Sequence, residues 1–177
     1  NIYSNNIQQG LTIFGSFFDY YSAVIDEQGQ EIWNSGDKDL IFYNTDQYGR
    51  FFGAEYIENS ENNYPGIKFS FENGIEWQEP GTNFIHHDIF QLPNGNYIGL
   101  GTSNNQGVIP LGPWTPLFQA LGYTADGQTV EFEWLGDKII EWDSNGNIIW
   151  SWKTTDYIST EEFDPAWIQG SHLDDIM

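Results

Sequence analysis

The feature that most constrains this chain is a pair of glycine-turn hairpins that alternate along it at a nearly fixed spacing. One kind runs from an apolar strand through a turn to a strand ending in Trp. It occurs at Ala23-Val-Ile-Asp-Glu-Gln-Gly29-Gln-Glu-Ile-Trp33, at Ile67-Lys-Phe-Ser-Phe-Glu-Asn-Gly74-Ile-Glu-Trp77 and at Ile139-Ile-Glu-Trp-Asp-Ser-Asn-Gly146-Asn-Ile-Ile-Trp150. The other kind turns at Gly49 and at Pro93-Asn94-Gly95. Gly29 and Gly74 are 45 residues apart, Trp33 and Trp77 are 44 apart, and Gly49 and Gly95 are 46 apart. Two hairpins within one such period make a four-stranded unit, the size of a β-propeller blade. Asn and Gly stand where a tight hairpin needs positive φ, so the turns themselves set the strand register.

The expected fold class is therefore all-β: a β-propeller with four-stranded antiparallel blades, about three of them present where a closed ring takes about four to eight. The units fall at 10–36, 37–81 and 82–153, in one partial propeller domain over 1–177. Between the second and third Trp the spacing stretches to 73 residues. The excess maps to 104–133, where Pro110, Pro113 and Pro116 predict a long inter-strand loop. Residues 154–177 read as the entrance to a further blade. A ring needs more than three blades, so the remainder is expected from the rest of a longer chain or from an assembly partner. The opening residue, Asn1, likewise reads as a processed form or as part of something longer.

Charge narrows the partners. Twenty-six acidic residues against five basic ones give a net charge of −21, which opposes any polyphosphate backbone. Nucleic acid and membrane insertion are excluded as expected partners, and no apolar run approaches a bilayer span. Acidic disordered chains are aromatic-poor, whereas 18% of these residues are aromatic, so the acidity belongs to a folded protein. Few Lys and a single Arg, Arg50, fit an extracytoplasmic setting. No Cys is present, which removes disulfides and thiolate chemistry.

Three strings share a pattern with a known family: Gly10-Leu-Thr-Ile-Phe with the Ala23–Trp33 hairpin, His86-His87-Asp88-Ile-Phe-Gln-Leu-Pro-Asn-Gly-Asn96, and Asp137-Lys-Ile-Ile-Glu-Trp-Asp-Ser-Asn-Gly-Asn-Ile-Ile-Trp-Ser-Trp152. Together they resemble the arylsulfotransferase family of bacterial aryl-sulfate sulfotransferases, over most of residues 10–168. The resemblance implies a six-bladed, exported propeller. It would move a sulfuryl group between phenolic compounds through a sulfated histidine, acting on small aromatic sulfate esters and phenols without a nucleotide donor or other cofactor. His86 or His87 matches the family's first active-site histidine, and strand alternation points only one of the two into a central channel. Asp88 shares the face of His86. The family's next histidine follows D-W-x-H-x-N-S; here the comparable stretch is Asp164-Pro-Ala-Trp167-Ile-Gln169-Gly-Ser171-His172. Gln169 then replaces that histidine and Ser171 the asparagine, while His172 lies three residues on. Gln donates a hydrogen bond to an anion but neither relays a proton nor attacks. The histidine that becomes sulfated corresponds to a position beyond Met177.

Each candidate has a plainer reading. His-His-Asp also suits a divalent metal, or one His caps a strand while the other bonds a neighbouring blade. Asp143-Ser-Asn145-Gly-Asn147 begins like a calcium loop, but Thr154 stands where the closing acid belongs, so a turn with at most weak surface calcium is expected. Trp33, Trp77 and Trp150 are expected in the core, and Trp114, on the Pro-rich loop, is the expected ligand contact. A non-catalytic extracellular propeller serving as a binding or assembly module is the rival function.

Overall fold

The computed structural model describes residues 9–81 and 85–159, with the side chains of 85–87 outside that description. The described residues form three antiparallel sheets in which strands adjacent in sequence are adjacent in space. The first sheet is β1 (Thr12–Ser16), β2 (Tyr21–Ile25) and β3 (Glu31–Asn34). The second is β4 (Leu40–Thr45), β5 (Phe51–Glu55), β6 (Gly66–Ser70) and β7 (Gly74–Gln78). The third is β8 (Ile85–Gln91), β9 (Tyr97–Val108), β10 (Val130–Trp142) and β11 (Ile148–Lys153), with one short helix, α1 (Thr115–Ala120), between β9 and β10.

Turn chemistry accounts for this division. At Asp26, Asp46 and Asp143 one carboxylate oxygen accepts the backbone N–H groups two and four residues on, at 2.8 to 3.1 Å. The carbonyl of the same Asp takes the N–H of the glycine three residues on. That glycine, Gly29, Gly49 or Gly146, sits at φ of 73 to 85°, a left-handed conformation that closes the hairpin with a one-residue bulge. Gly29, Gly74 and Gly146 all join the last two strands of their sheets, and Gly49 and Gly95 join the first two. Only one such turn lies in 10–36, and that stretch holds three described strands where four were expected.

The chain divides into two compact units. The first comprises residues up to 101 together with 139–151, and the second 102–138 and the residues from 152. In the first unit the sheets pack through aromatic rings. Leu40, Ile67 and Phe69 are buried with Trp33, Phe42, Phe51 and Ile75 against them. Phe52, Ile89, Tyr97, Ile140 and Trp142 form a second cluster, with Tyr43 and Trp77 packed on it. A polar joint sits beside the first cluster. The buried Ser22 hydroxyl donates to Leu40 O at 2.7 Å and accepts from Phe42 N at 2.9 Å, which ties β2 to β4. A Cβ on Gly15 would lie 2.9 Å from Phe42 N, so only glycine lets β1 approach that backbone.

In the second unit, Phe118, Tyr123, Phe132 and Trp134 meet edge to face at centroid distances of 5.0 to 5.9 Å. The Glu131 carboxylate accepts Thr124 N at 2.7 Å and Ala125 N at 2.6 Å. The loop expected over 104–133 is narrower than its boundaries. Residues 104–108 and 130–133 belong to β9 and β10. They are tied by Asn104 Nδ2 to Glu133 at 3.2 Å and by Trp134 Nε1 to Val108 O at 3.1 Å. All three prolines fall in the remaining 109–129, where they break no ladder.

Ser22→Ala removes from β4 the hydroxyl that accepts from Phe42 N and donates to Leu40 O. The expected loss is about 2 kcal/mol of unfolding free energy, measured by chemical denaturation.

Candidate functional site

The sequence places its chemistry at the start of β8, and there the ladder is irregular. Ile85 pairs with Gly101 and Ile89 with Gly99, so four steps along β8 span two along β9. His86, His87 and Asp88 lie on this bulged stretch. Strict alternation, the basis for expecting only one of the two histidines to face a channel, does not hold across such a shift. The side chains of His86 and His87 lie outside the described part, as do Gln169, Ser171 and His172 altogether.

Asp88 is half-buried where β8 passes β4. Asn44 Nδ2 donates to its Oδ1 at 2.7 Å and to Ile89 O at 3.3 Å. Burial pushes the Asp88 carboxyl above its ordinary range, against a smaller opposing effect of a backbone hydrogen bond at Ile89. The other amide atom, Asn44 Oδ1, is buried without a hydrogen-bond partner among the described residues. Beside Asp88 a depression of about 190 Å³ is lined by Phe90, Ile98, Gly99, Leu100 and Ile139. A carboxyl set into an apolar wall is the polar group available there to orient a small ring-bearing molecule.

Arg50 is committed elsewhere. It pairs with Asp46 through Nε, donates from a terminal nitrogen to Gln91 Oε1 at 2.5 Å and lies 5.2 Å over the Tyr48 ring. Trp114 is half-buried within its own loop. Its indole Nε1 donates to Pro110 O at 2.7 Å, and its ring covers Gly112 so closely that a Cβ there would lie 2.4 Å from it. The Asp143 carboxylate is occupied by Asn145 N, Asn147 N and the Asn147 amide, a hydrogen-bonded turn. Among the described residues no three His, Cys, Asp or Glu side chains converge as metal ligands.

One cluster was not singled out from sequence. Tyr20, in the β1–β2 turn, stacks on Tyr56 at 4.2 Å and shares a 2.8 Å hydrogen bond between hydroxyls with Tyr64. Phe17 stacks on Tyr64 at 5.8 Å. Tyr20 holds φ at 49°, a costly conformation for an aromatic residue, kept by the rings around it. The Tyr20 hydroxyl first, and burial second, push the Tyr64 phenol up to about 12. The one available signal was spacing: Tyr20 and Tyr64, like Asn44 and Asp88, are 44 residues apart.

No family model matches the chain, and no curated protein matches it.

Two measurements check this geometry. The raised Tyr64 pKa stabilises the fold fully below the ordinary phenol value, and that contribution is lost as pH climbs toward about 12. Tyr20→Phe therefore brings one phenol back toward the ordinary range in an ultraviolet titration. Asn44→Ala removes the donor from the Asp88 carboxylate and raises its proton affinity further. Because stability falls as pH rises through a raised carboxyl pKa, this variant loses about 1–2 kcal/mol at neutral pH and less in mild acid, by thermal melts at the two pH values.

Proposed function

We propose that the three sheets are successive blades of an exported β-propeller that passes a sulfuryl group between small phenolic compounds, with His86 and His87 at the site. The observation that carries this reading is the bulge at the start of β8. It takes His86, His87 and Asp88 out of the regular ladder on the strand of the third sheet that meets the second, and bulges of this kind re-aim side chains at functional sites. The equivalent placing of turn glycines in successive sheets supports the propeller.

The chemistry proceeds in two displacements. An imidazole nitrogen attacks the sulfur of an aryl sulfate, the N–S bond forms as the S–O bond to the ring breaks, and the first phenol leaves as phenolate. The oxygen of a second phenol then attacks sulfur, losing its proton to solvent or a base, and the imidazole is released. The electron pairs balance without a redox partner or nucleotide. Hydrogen-bond donors around the peripheral sulfuryl oxygens lower both barriers. The apolar depression beside Asp88 suits an aryl ring.

One observation favours the rival module that binds without catalysis. Arg50, the chain's single Arg, is held by Asp46 and Gln91 and not presented to an anion.

Incubating a full-length protein that includes the position of the sulfated histidine with p-nitrophenyl sulfate and phenol tests the proposal; residues 1–177 alone are expected to give little or no turnover. Expected from the longer protein is release of p-nitrophenolate above buffer, with His86→Asn or His87→Asn lowering the rate about 100-fold or more. No release, or release indifferent to both substitutions, sinks the transferase reading and leaves the binding module.

A further inference from the structure

The sequence holds three Asn-Gly pairs, Asn73-Gly74, Asn94-Gly95 and Asn145-Gly146, and all three asparagines are exposed. In such a pair the glycine nitrogen can attack the side-chain amide carbon of the asparagine, because no Cβ obstructs the approach. Two of the pairs stand in turns with the same main-chain bonds. Leu92 N donates to Asn96 O at 2.7 Å and Gly95 N to Leu92 O at 2.9 Å, while Asp143 N donates to Asn147 O at 2.9 Å and Gly146 N to Asp143 O at 3.0 Å. Gly95 and Gly146 share the left-handed conformation, at φ of 90 and 85°. The backbone therefore favours neither of these two pairs.

The side chains distinguish them. In the turn that starts at Leu92 the first residue carries no acceptor, and Asn94 Oδ1 accepts Asn96 N at 3.0 Å. In the turn that starts at Asp143 the first residue is a carboxylate, and its Oδ1 accepts both Asn145 N and Asn147 N at 2.9 Å. Its Oδ2 holds the Asn147 amide at 2.9 Å. With those acceptors supplied by Asp143, the Asn145 amide makes no hydrogen bond among the described residues. At the third pair, Asn73 Nδ2 donates to Glu76 Oε1 at 3.2 Å. A hydrogen-bonded amide must give up its bond before its carbon swings toward the next nitrogen.

We propose that Asn145 is a modification site: the first of the three Asn-Gly pairs to deamidate, with water as co-reactant. Gly146 N bonds to Asn145 Cγ, the side-chain nitrogen leaves as ammonia with the proton from Gly146 N, and a succinimide ring remains. Water then opens the ring at one carbonyl to give aspartate, or at the other to give isoaspartate, with no oxidant or reductant taking part. Either product adds one negative charge beside Asp143. Isoaspartate also routes the main chain through the former side chain and lengthens the turn by one atom. The bonds that pair Asp143 with Asn147 then lose their register. So does the seat of the turn against Pro80, where a Cβ on Gly146 would lie 2.5 Å from Pro80 Cγ. The element released is β11, an edge strand.

Incubation of the folded 177-residue chain in mildly alkaline buffer tests this, with peptide mapping by mass spectrometry and isoaspartate detected by an isoaspartyl methyltransferase. Expected is conversion at Asn145 about fivefold or more ahead of Asn94 and Asn73, the effect of one hydrogen bond, with the lead lost in denaturant. Asp143→Leu recreates the arrangement at Leu92 and should bring Asn145 down to the rate of Asn94. Should that variant fail to fold, Leu92→Asp serves instead and should raise Asn94 to the rate of Asn145. Equal rates at the three sites in the folded chain, a lead that persists in denaturant, or a lead indifferent to these substitutions would each overturn the inference.

Discussion

A sheet of three or four short strands has two faces and too few residues to cover either by folding back on itself. In the first unit this is met by passing a ring from each sheet to the next: Trp33 onto Phe69 and Phe71, and Trp77 onto Tyr97 with Trp142 at its edge. Large flat rings supply most of the buried area at low entropic cost. They do not fix how far one sheet slides along its neighbour. That is done by directional bonds at the same junctions, the Ser22 hydroxyl against β4 and the Asn44 amide against β8. Area and register are thus supplied by different residues.

The hairpins were legible because their chemistry is local. An Asp, two intervening residues, a glycine and the residue after it contain every donor and acceptor of the turns at Asp26, Asp46 and Asp143, so a few letters suffice to mark them. The packing of individual tryptophans was less legible. Trp142 and Trp150 both sit among apolar and acidic neighbours, and the sequence favoured Trp150 for the core. The structure buries Trp142 completely and leaves Trp150 about half exposed, because which face of the third sheet meets the second is settled by packing at a distance. The prolines located the centre of the long connection but not its ends, since strand pairing continues well beyond the last regular hairpin. Asn44 with Asp88 and Tyr20 with Tyr64 are non-local pairs, and single-residue propensity carries no trace of them. The bulge at His86 and His87 is invisible for a related reason: alternation can be read from letters, but a two-residue slip in it cannot.

The acidity of the chain is partly structural. Asp26, Asp46 and Asp143 hold turns, and Glu131 holds the loop before β10. The buried Glu79 accepts from Asn62 and from Gly81 N. Glu76 is held far below the carboxylate range, at about 2, chiefly by Lys68 at 3.0 Å and then by Ser70 and Asn73. Carboxylates serve here as acceptors for backbone donors that five-residue strands leave unpaired at their ends.

The connections between the second-from-last pair of strands lengthen from sheet to sheet: 17–20 in the first, 56–65 in the second and 109–129 in the third. In the third sheet the chain leaves one long strand and returns on its hydrogen-bonded neighbour, so the inserted segment hangs from a ladder that is already closed beneath it. Such a point tolerates growth without renegotiating the fold. It is where an evolving lineage, or an engineer, would splice in foreign peptide.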